Sequence, residues 1–194
     1  MENSTLTPEE SLLLISKTIE QTKNRFKENG HIFVYWGTLT LIVFGSQLIL
    51  SKMELYQYTR YPVFLFPLSI FYMIYLWIKE KKKNLPKTHI GNMLGNLGWL
   101  IGLNLMTMGF FCWDKLGAAT APVFIILFAL FIIVCGLAIK FKPLIIGGIL
   151  VNLLGLGSFF ISSDYHGFSM MLMAIIGLII PGILLNIARR ENHV

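Results

Sequence analysis

Long uncharged apolar runs recur along this chain of 194 residues and are separated by short polar loops. A run of about 20 apolar residues is long enough to cross the hydrocarbon core of a bilayer as a helix. The runs predict six transmembrane helices, with approximate bounds 32–50, 62–78, 90–111, 121–139, 144–161 and 168–187. We therefore predict an all-α polytopic membrane protein, with one six-helix bundle over residues 31–194 and a separate N-terminal segment over residues 1–30.

The third run, 90–111, has two patterned sides and is predicted to lie near the middle of the bundle. At about 100° per residue, five glycines share a narrow arc that predicts a helix-packing groove: Gly91, Gly95, Gly98, Gly102 and Gly109. A second arc, roughly opposite, carries Asn92, Asn96, Asn104 and Thr107. We expect both arcs to meet protein and the flank between them to meet lipid, the flank being Leu94, Leu97, Ile101, Leu105 and Met108.

Runs four and five are separated only by Lys140, Phe141 and Lys142, which predicts an antiparallel helical hairpin with Pro143 opening its second helix. In the fifth run Gly148, Asn152 and Gly155 share a face, with the glycines as packing positions and the asparagine as a polar candidate. The sixth run contains Pro181-Gly182 close to its end, which predicts a break in that helix.

The N-terminal segment begins a helix of its own at Thr7-Pro8-Glu9-Glu10. Thr7 as N-cap and Glu10 three residues later form a capping box. The helix is predicted to be amphipathic and cytoplasmic, with a narrow apolar stripe of Leu12, Ile15, Ile19 and Phe26. That stripe fits the membrane surface or the inner loops of the bundle. It also fits a docking surface for a soluble protein partner.

Composition and charge agree with a membrane protein. The chain is 55% hydrophobic and 13% charged, whereas ordinary soluble domains carry about 25% charged residues. Thirteen lysines and arginines precede run one, lie in loops two and four, or follow run six, whereas three lie in the other loops. Because basic loops stay in the cytoplasm, this asymmetry predicts that both termini are cytoplasmic.

The net charge of +6 is interpreted as a topology signal. The basic run with Lys81, Lys82 and Lys83 predicts an anchor that contacts anionic lipid headgroups. No basic folded module for nucleic acid is present in the sequence, so we expect no nucleic-acid partner.

The sequence shows no grouping of residues that could form a catalytic or metal site. The six apolar cores contain no Asp, Glu, Lys or Arg, although intramembrane charges usually mark functional sites. His31 and His89 could approach each other at the cytoplasmic ends of runs one and three, but zinc takes three or four protein ligands. Cys112 and Cys135 are predicted at different depths, too far apart for the roughly 6 Å Cα separation of a disulfide. We expect no catalytic residue, metal or cofactor.

The intramembrane asparagines admit two interpretations. Asn92, Asn96, Asn104 and Asn152 require hydrogen-bonding partners in a bilayer. Bonds between helices would satisfy them. The alternative is a polar path or cavity for a small solute, although Leu100 and Leu103 interrupt the arc.

Three segments carry a resemblance: ENGHIFVYWG at residues 28–37, GLAIKFKPLIIGGI at 136–149 and IPGILL at 180–185. Together they resemble small, uncharacterised six-span inner-membrane proteins of bacteria, which implies multi-pass insertion in that membrane and brings no activity. The functional expectation is a non-enzymatic interaction or regulatory module whose partners are the bilayer, anionic lipid, a cytoplasmic protein or a homo-oligomer. The alternative is a small transporter or permease subunit that uses the asparagine face.

Overall fold

The computed structural model describes residues 7, 9–14, 16, 30–81 and 89–191. All regular secondary structure in this part of the chain is helical, so the predicted all-α class is confirmed. The long helices are α1 Gly30–Lys52, α2 Leu65–Lys81, α3 His89–Phe111, α4 Thr120–Ile139, α5 Lys142–Gly157, α6 His166–Met173 and α7 Ile180–Glu191. A π-helical segment, Ala174–Ile179, joins α6 to α7.

Each predicted run coincides with a long helical element, and five of these elements are long and apolar enough to cross a membrane. The other is α2, which has 17 residues and ends in Lys79, Glu80 and Lys81. At 1.5 Å per residue α2 is about 26 Å long, slightly less than the ~30 Å hydrocarbon core. The 3-10 turn Tyr61–Phe64 precedes it directly and extends the element.

Helices α4 and α5 form the predicted hairpin. Lys140 adopts the left-handed conformation, with φ 53° and ψ 42°. The Phe141 amide donates to the Gly136 carbonyl at 3.0 Å and the Lys140 amide to Leu137 at 3.2 Å. These two bonds form a Schellman motif, which satisfies the last carbonyls of α4 and reverses the chain. The hairpin prediction is confirmed.

Small residues let α5 approach α4 along its length. A Cβ at Gly148 would lie 3.1 Å from the Ile133 backbone nitrogen, and one at Gly155 would lie 3.1 Å from that of Ile126. At Gly136, on α4, the same atom would lie 2.9 Å from the Ile145 nitrogen. A real side chain at these positions would have to displace backbone.

The first and last elements cross through a second set of glycines. A Cβ at Gly30 of α1 would lie 2.9 Å from the Gly182 carbonyl of α7, and one at Gly182 would lie 3.0 Å from the Gly30 carbonyl. At Gly37 the corresponding atom would meet the side chains of Leu178 and Ile179. Helix α1 therefore lies against the α6–α7 element with its backbone in close approach.

The helix does not end at the predicted break near Pro181. It continues, and the segment just before the proline is wound as a π-helix. Proline has no N–H to donate to the carbonyl four residues earlier, and the π segment Ala174–Ile179 ends just before it. In a π segment each backbone hydrogen bond spans five residues in place of four, so the segment accommodates one extra residue within the α-helix. Pro181 is fully buried and lies beside Gly147 of α5.

The most buried parts of the bundle are α4 and the last element, α6 to α7, which corrects the prediction that the third run lies in the middle. Ile125, Ala129, Ile132 and Cys135 of α4 are fully buried. Only 6% of the apolar stretch of α3 is buried, against 39% for α4 with its preceding turn and 50% for the last element. The physical reason lies in the contacts of α4, which packs against α3, α5 and α6. Leu130, Val134 and Leu137 leave one side of α4 exposed.

Helix α2 lies at the edge of the bundle and contacts α1 through aromatic rings. The Tyr35 and Tyr72 ring centroids are 4.5 Å apart, and Phe66 lies 6.5 Å from both Trp36 and Phe44. Gln47 of α1 donates to the Thr59 carbonyl at 3.0 Å and ties down the connection between the two helices. The molecule therefore consists of a tight core, α1 with α4 to α7, and a peripheral pair, α2 and α3.

Candidate functional site

Helix α3 meets the rest of the protein along the flank that was expected to face lipid. Leu94 is buried, and Leu97, Ile101, Leu105 and Met108 are partly buried on the same side. This side packs on α4. The expectation for the apolar flank is therefore wrong. Leu94 belongs to a buried apolar cluster with Ile132 and Cys135 of α4, and Phe128 and Phe131 of α4 pack against the same cluster.

The glycine arc of α3 lies at the border of this contact. A Cβ at Gly98 would lie 3.2 Å from Phe131 Cζ, and one at Gly109 would lie 3.5 Å from Phe124 Cζ. Gly95 and Gly102 have no such neighbour within 4 Å. The surroundings of Gly91 lie outside the described residues. The arc therefore meets two aromatic rings of α4 and is otherwise open.

The polar arc of α3 points away from the bundle. Asn96, Asn104 and Thr107 are all exposed. The Asn104 amide donates to the Leu100 carbonyl at 2.8 Å, and the Thr107 hydroxyl donates to Leu103 at 2.8 Å. Each bond lies within the helix, one turn back. These side chains therefore make no hydrogen bond to another described helix, contrary to the expectation that this arc faces protein.

Asn96 differs from its two neighbours on this arc. In the described part of the chain its side-chain amide has no hydrogen-bonding partner, either within α3 or on another helix. Asn92 is in α3, but its side chain lies outside the described residues. Asn96 is therefore the clearest unsatisfied polar group on this face.

Asn152 does not lie near the asparagines of α3. It is partly buried on α5, between Gly148 and Gly155, which contact Ile133 and Ile126 of α4. Helix α3 contacts α4 at Phe124 and Phe131 instead. Each phenylalanine precedes its isoleucine by two residues, which is about 200° around a helix. Helices α3 and α5 therefore lie on opposite sides of α4, and together they enclose no polar cavity.

One surface groove in the described chain is open and apolar. It runs along the second half of α1 and is lined by Leu41, Ile42, Gly45, Ser46, Ile49 and Leu50. The Ser46 hydroxyl, its one side-chain polar group, donates to the Ile42 carbonyl within the helix. The groove has no converging polar groups for a substrate or ion.

Titratable residues are dispersed. No group of three His, Cys, Asp or Glu side chains that could hold a metal occurs in the described ranges. Cys112 and Cys135 are free thiols, with Cys135 buried. His31 is the second residue of α1, and His89 begins α3 with its side chain outside the described part. Asp164 and His166 lie in the sequence between the fifth and sixth predicted runs.

His166 connects two elements. It is 9% exposed at the start of α6, and its Nε2 lies 3.0 Å from the Ser158 carbonyl. The Nε2–H tautomer donates this bond and links the end of α5 to the start of α6. Asp164 accepts from the Ser162 hydroxyl at 3.4 Å. In the sequence this histidine lies between two apolar runs, and none of its neighbours in the chain indicates that it is buried.

The N-terminal segment has the predicted capping box. The Glu10 amide donates to Thr7 Oγ1 at 3.3 Å, and the Thr7 amide donates to Glu10 Oε2 at 2.9 Å. Residues 9–14 are helical behind this cap. Leu12 and Leu13 are 67% and 68% exposed. The helix start therefore presents large apolar side chains that the described bundle does not cover.

Several predicted contact residues lie outside the described residues. They are Ile15, Ile19, Phe26, Lys82 and Lys83, together with the side chain of Lys81 at the end of α2.

The sequence interpretation missed the glycines of the α1–α7 crossing. Gly30 and Gly37 are seven residues apart, which places them on one face of α1, and this spacing was visible in the sequence. Their partner Gly182 had been assigned only to the break at Pro181.

Comparison of the chain with protein-family models, curated proteins and solved structures finds no match. The candidate features therefore rest on this chain's own residues: the polar face of α3 and the exposed leucines behind the N-terminal cap.

Proposed function

We propose that this protein is a non-enzymatic integral membrane protein that acts as an interaction or regulatory module. Its cytoplasmic N-terminal helix and the basic loop with Lys81–Lys83 contact a protein partner or anionic lipid. The observation that carries the proposal is the exposure of Leu12 and Leu13 on a helix with a formed capping box.

Exposed leucines on a capped helix favour a binding surface for a physical reason. Covering one leucine side chain contributes about 1.5–3 kcal/mol relative to leaving it in water. The cap fixes the start of the helix and with it the direction of these side chains. Lysines on a neighbouring cytoplasmic loop would add attraction to acidic headgroups or to an acidic protein surface.

The proposed location is the bacterial inner membrane, with six crossings and both termini in the cytoplasm. The five long apolar elements support membrane insertion. The sixth crossing would use α2 with its preceding 3-10 turn. The distribution of Lys and Arg supports the orientation, and the resemblance to six-span bacterial proteins supports the membrane.

Cysteine labelling tests this orientation. In a background without the native cysteines, Lys83→Cys should resist a membrane-impermeant maleimide added to intact cells, whereas Lys115→Cys should react. Reaction of position 83 from outside would disprove the six-crossing arrangement.

An environment-sensitive dye tests the functional proposal. We would attach it to Leu12→Cys, in the same background, and reconstitute the protein in nanodiscs with and without phosphatidylglycerol. A blue shift that requires the anionic lipid and falls in Lys82→Gln/Lys83→Gln would identify a lipid surface. A shift that requires added cytosolic protein would identify a partner. A dye at Lys115→Cys is the matched control, and no shift at position 12 under either condition would contradict the proposal.

The competing proposal, a small transporter or permease subunit, gains less support. Its candidate residues on α3 and α5 lie on opposite sides of α4, so a single copy has no shared polar path for them to line.

A further inference from the structure

Four large apolar side chains and two polar ones follow a heptad spacing on the outward face of α3. Successive members are three and four residues apart, and all are exposed: Met93, Asn96, Leu100, Leu103, Thr107 and Phe110. We call this set the α3 seam. A 3-4 spacing keeps side chains on one line along a helix when a second helix wraps around it with a left-handed crossing. The seam therefore has the geometry of one half of a helix pair.

From Met93 to Leu103 the α3 seam can be covered by another helix while α3 keeps its place in the protein. Leu94 and Ile101, which face α4, lie roughly half a turn from Leu103 at about 100° per residue. Met93 and Leu100 are each 60% exposed, and Leu103 is 53% exposed. Phe110, at the far end of the seam, is 39% exposed and its ring centroid lies 5.9 Å from that of Phe64, in the turn before α2. A second helix could bind there without displacing α4.

Asn96 distinguishes this seam from an ordinary lipid-facing surface. An amide in the hydrocarbon region needs a donor and an acceptor, because no water is present to supply them. Lipid chains supply neither. In two-stranded coiled coils a single asparagine in the seam sets the register of the pair, because each amide bonds to its equivalent on the other helix.

We infer that the α3 seam binds the α3 seam of a second copy of this chain, in a parallel pair around a two-fold axis along the membrane normal. Copies inserted in the same orientation present equal residues at equal depths, so Asn96 meets Asn96. An amide carries both donor and acceptor and is therefore complementary to itself, as a two-fold contact requires. This inference needs only that α3 crosses the membrane, and it is independent of the role proposed for the N-terminal helix.

Cysteine cross-linking tests the contact. In a background with Cys112→Ser and Cys135→Ala, Leu103→Cys should form a disulfide-linked dimer when vesicles containing the full chain at low density are oxidised. Leu130→Cys is the matched control, because Leu130 is 49% exposed on α4 and lies away from α3. Equal cross-linking of the two variants, or none at position 103, would mean that α3 meets only lipid and would overturn the inference.

Energy transfer between labelled copies in liposomes tests the role of Asn96. Asn96→Leu should weaken association by about threefold to tenfold, the range for one or two membrane hydrogen bonds. Asn152→Leu, the same change on the far side of α4, should leave association unchanged. Because Asn96 is exposed in the single copy, its replacement should not prevent folding. Unchanged association of Asn96→Leu would overturn the amide pairing.

Discussion

Helices α3 and α5 both carry glycines and asparagines, yet the structure uses them in opposite ways. Gly148 and Gly155 of α5 lie so close to α4 that a Cβ would come within 3.1 Å of its backbone. Gly95 and Gly102 of α3 have open space at that position. Small residues permit close helix packing in membranes, but they do not determine which helix packs against them.

The difference between these helices has two sources: the length of the loop that joins each helix to α4, and the shape of the α4 side chains that face its glycines. The Lys140–Lys142 turn places α5 beside α4 directly, whereas α3 reaches α4 after a longer connection through Trp113–Leu116. Glycines of α5 face the β-branched Ile126 and Ile133, whose side chains fill the space above them. Glycines of α3 meet only the tips of phenylalanine rings, which can move.

The largest effect is expected at Gly148. Gly148→Leu should destabilise the protein by roughly 3 kcal/mol, the upper part of the usual range for overpacking, because the new side chain meets α4 backbone. Thermal unfolding of the detergent-solubilised protein, with Gly102→Leu as the control on α3, measures this difference. Equal stability of the two variants would remove the distinction between the helices.

Gly98→Leu should have a smaller effect, about 1 kcal/mol. The nearest atom to a Cβ at this position is the tip of the Phe131 ring, at 3.2 Å, and the end of a side chain can shift more easily than backbone. The same unfolding measurement applies, and Phe131→Ala in combination should recover part of the loss. A cost as large as that of Gly148→Leu would indicate that α3 is held as tightly as α5.

Replacement of the asparagines should change the stability of the single chain by less than about 0.6 kcal/mol, the average for an interhelical bond in a membrane. In the described residues neither Asn96 nor Asn152 has a hydrogen bond to lose. Asn96→Leu and Asn152→Leu are compared by unfolding in detergent at dilutions that favour single copies. If both variants fold normally and both abolish a cellular phenotype of the protein, the transport alternative gains the support it lacks.

An effect of zero or of opposite sign is expected at Gly102. Gly102→Ala should leave stability unchanged or raise it by up to about 1 kcal/mol, because alanine is the better helix former and the site is open. Gly155→Ala is the matched change on α5 and should destabilise, since its Cβ would lie 2.7 Å from Ile126 Cγ1. A destabilised Gly102→Ala protein would mean that a neighbour covers this arc.

Local sequence determined the elements of this protein. The uncharged runs located the long helices, Thr7 and Glu10 specified a cap that forms, and three residues between two apolar runs specified the α4–α5 hairpin. Each of these features depends on residues close together in the chain, through hydropathy, backbone hydrogen bonds and turn conformation.

Only the tertiary structure decided which faces meet. The leucine flank of α3 packs on α4 and its asparagine arc faces outward, the reverse of the expectation, and the Gly30–Gly182 crossing joins distant parts of the chain. The physical reason is that lipid tails are as apolar as leucine, so hydropathy distinguishes a membrane helix from water but not its protein-facing side from its lipid-facing side. That choice depends on which surfaces fit together, and therefore on the positions of all the helices.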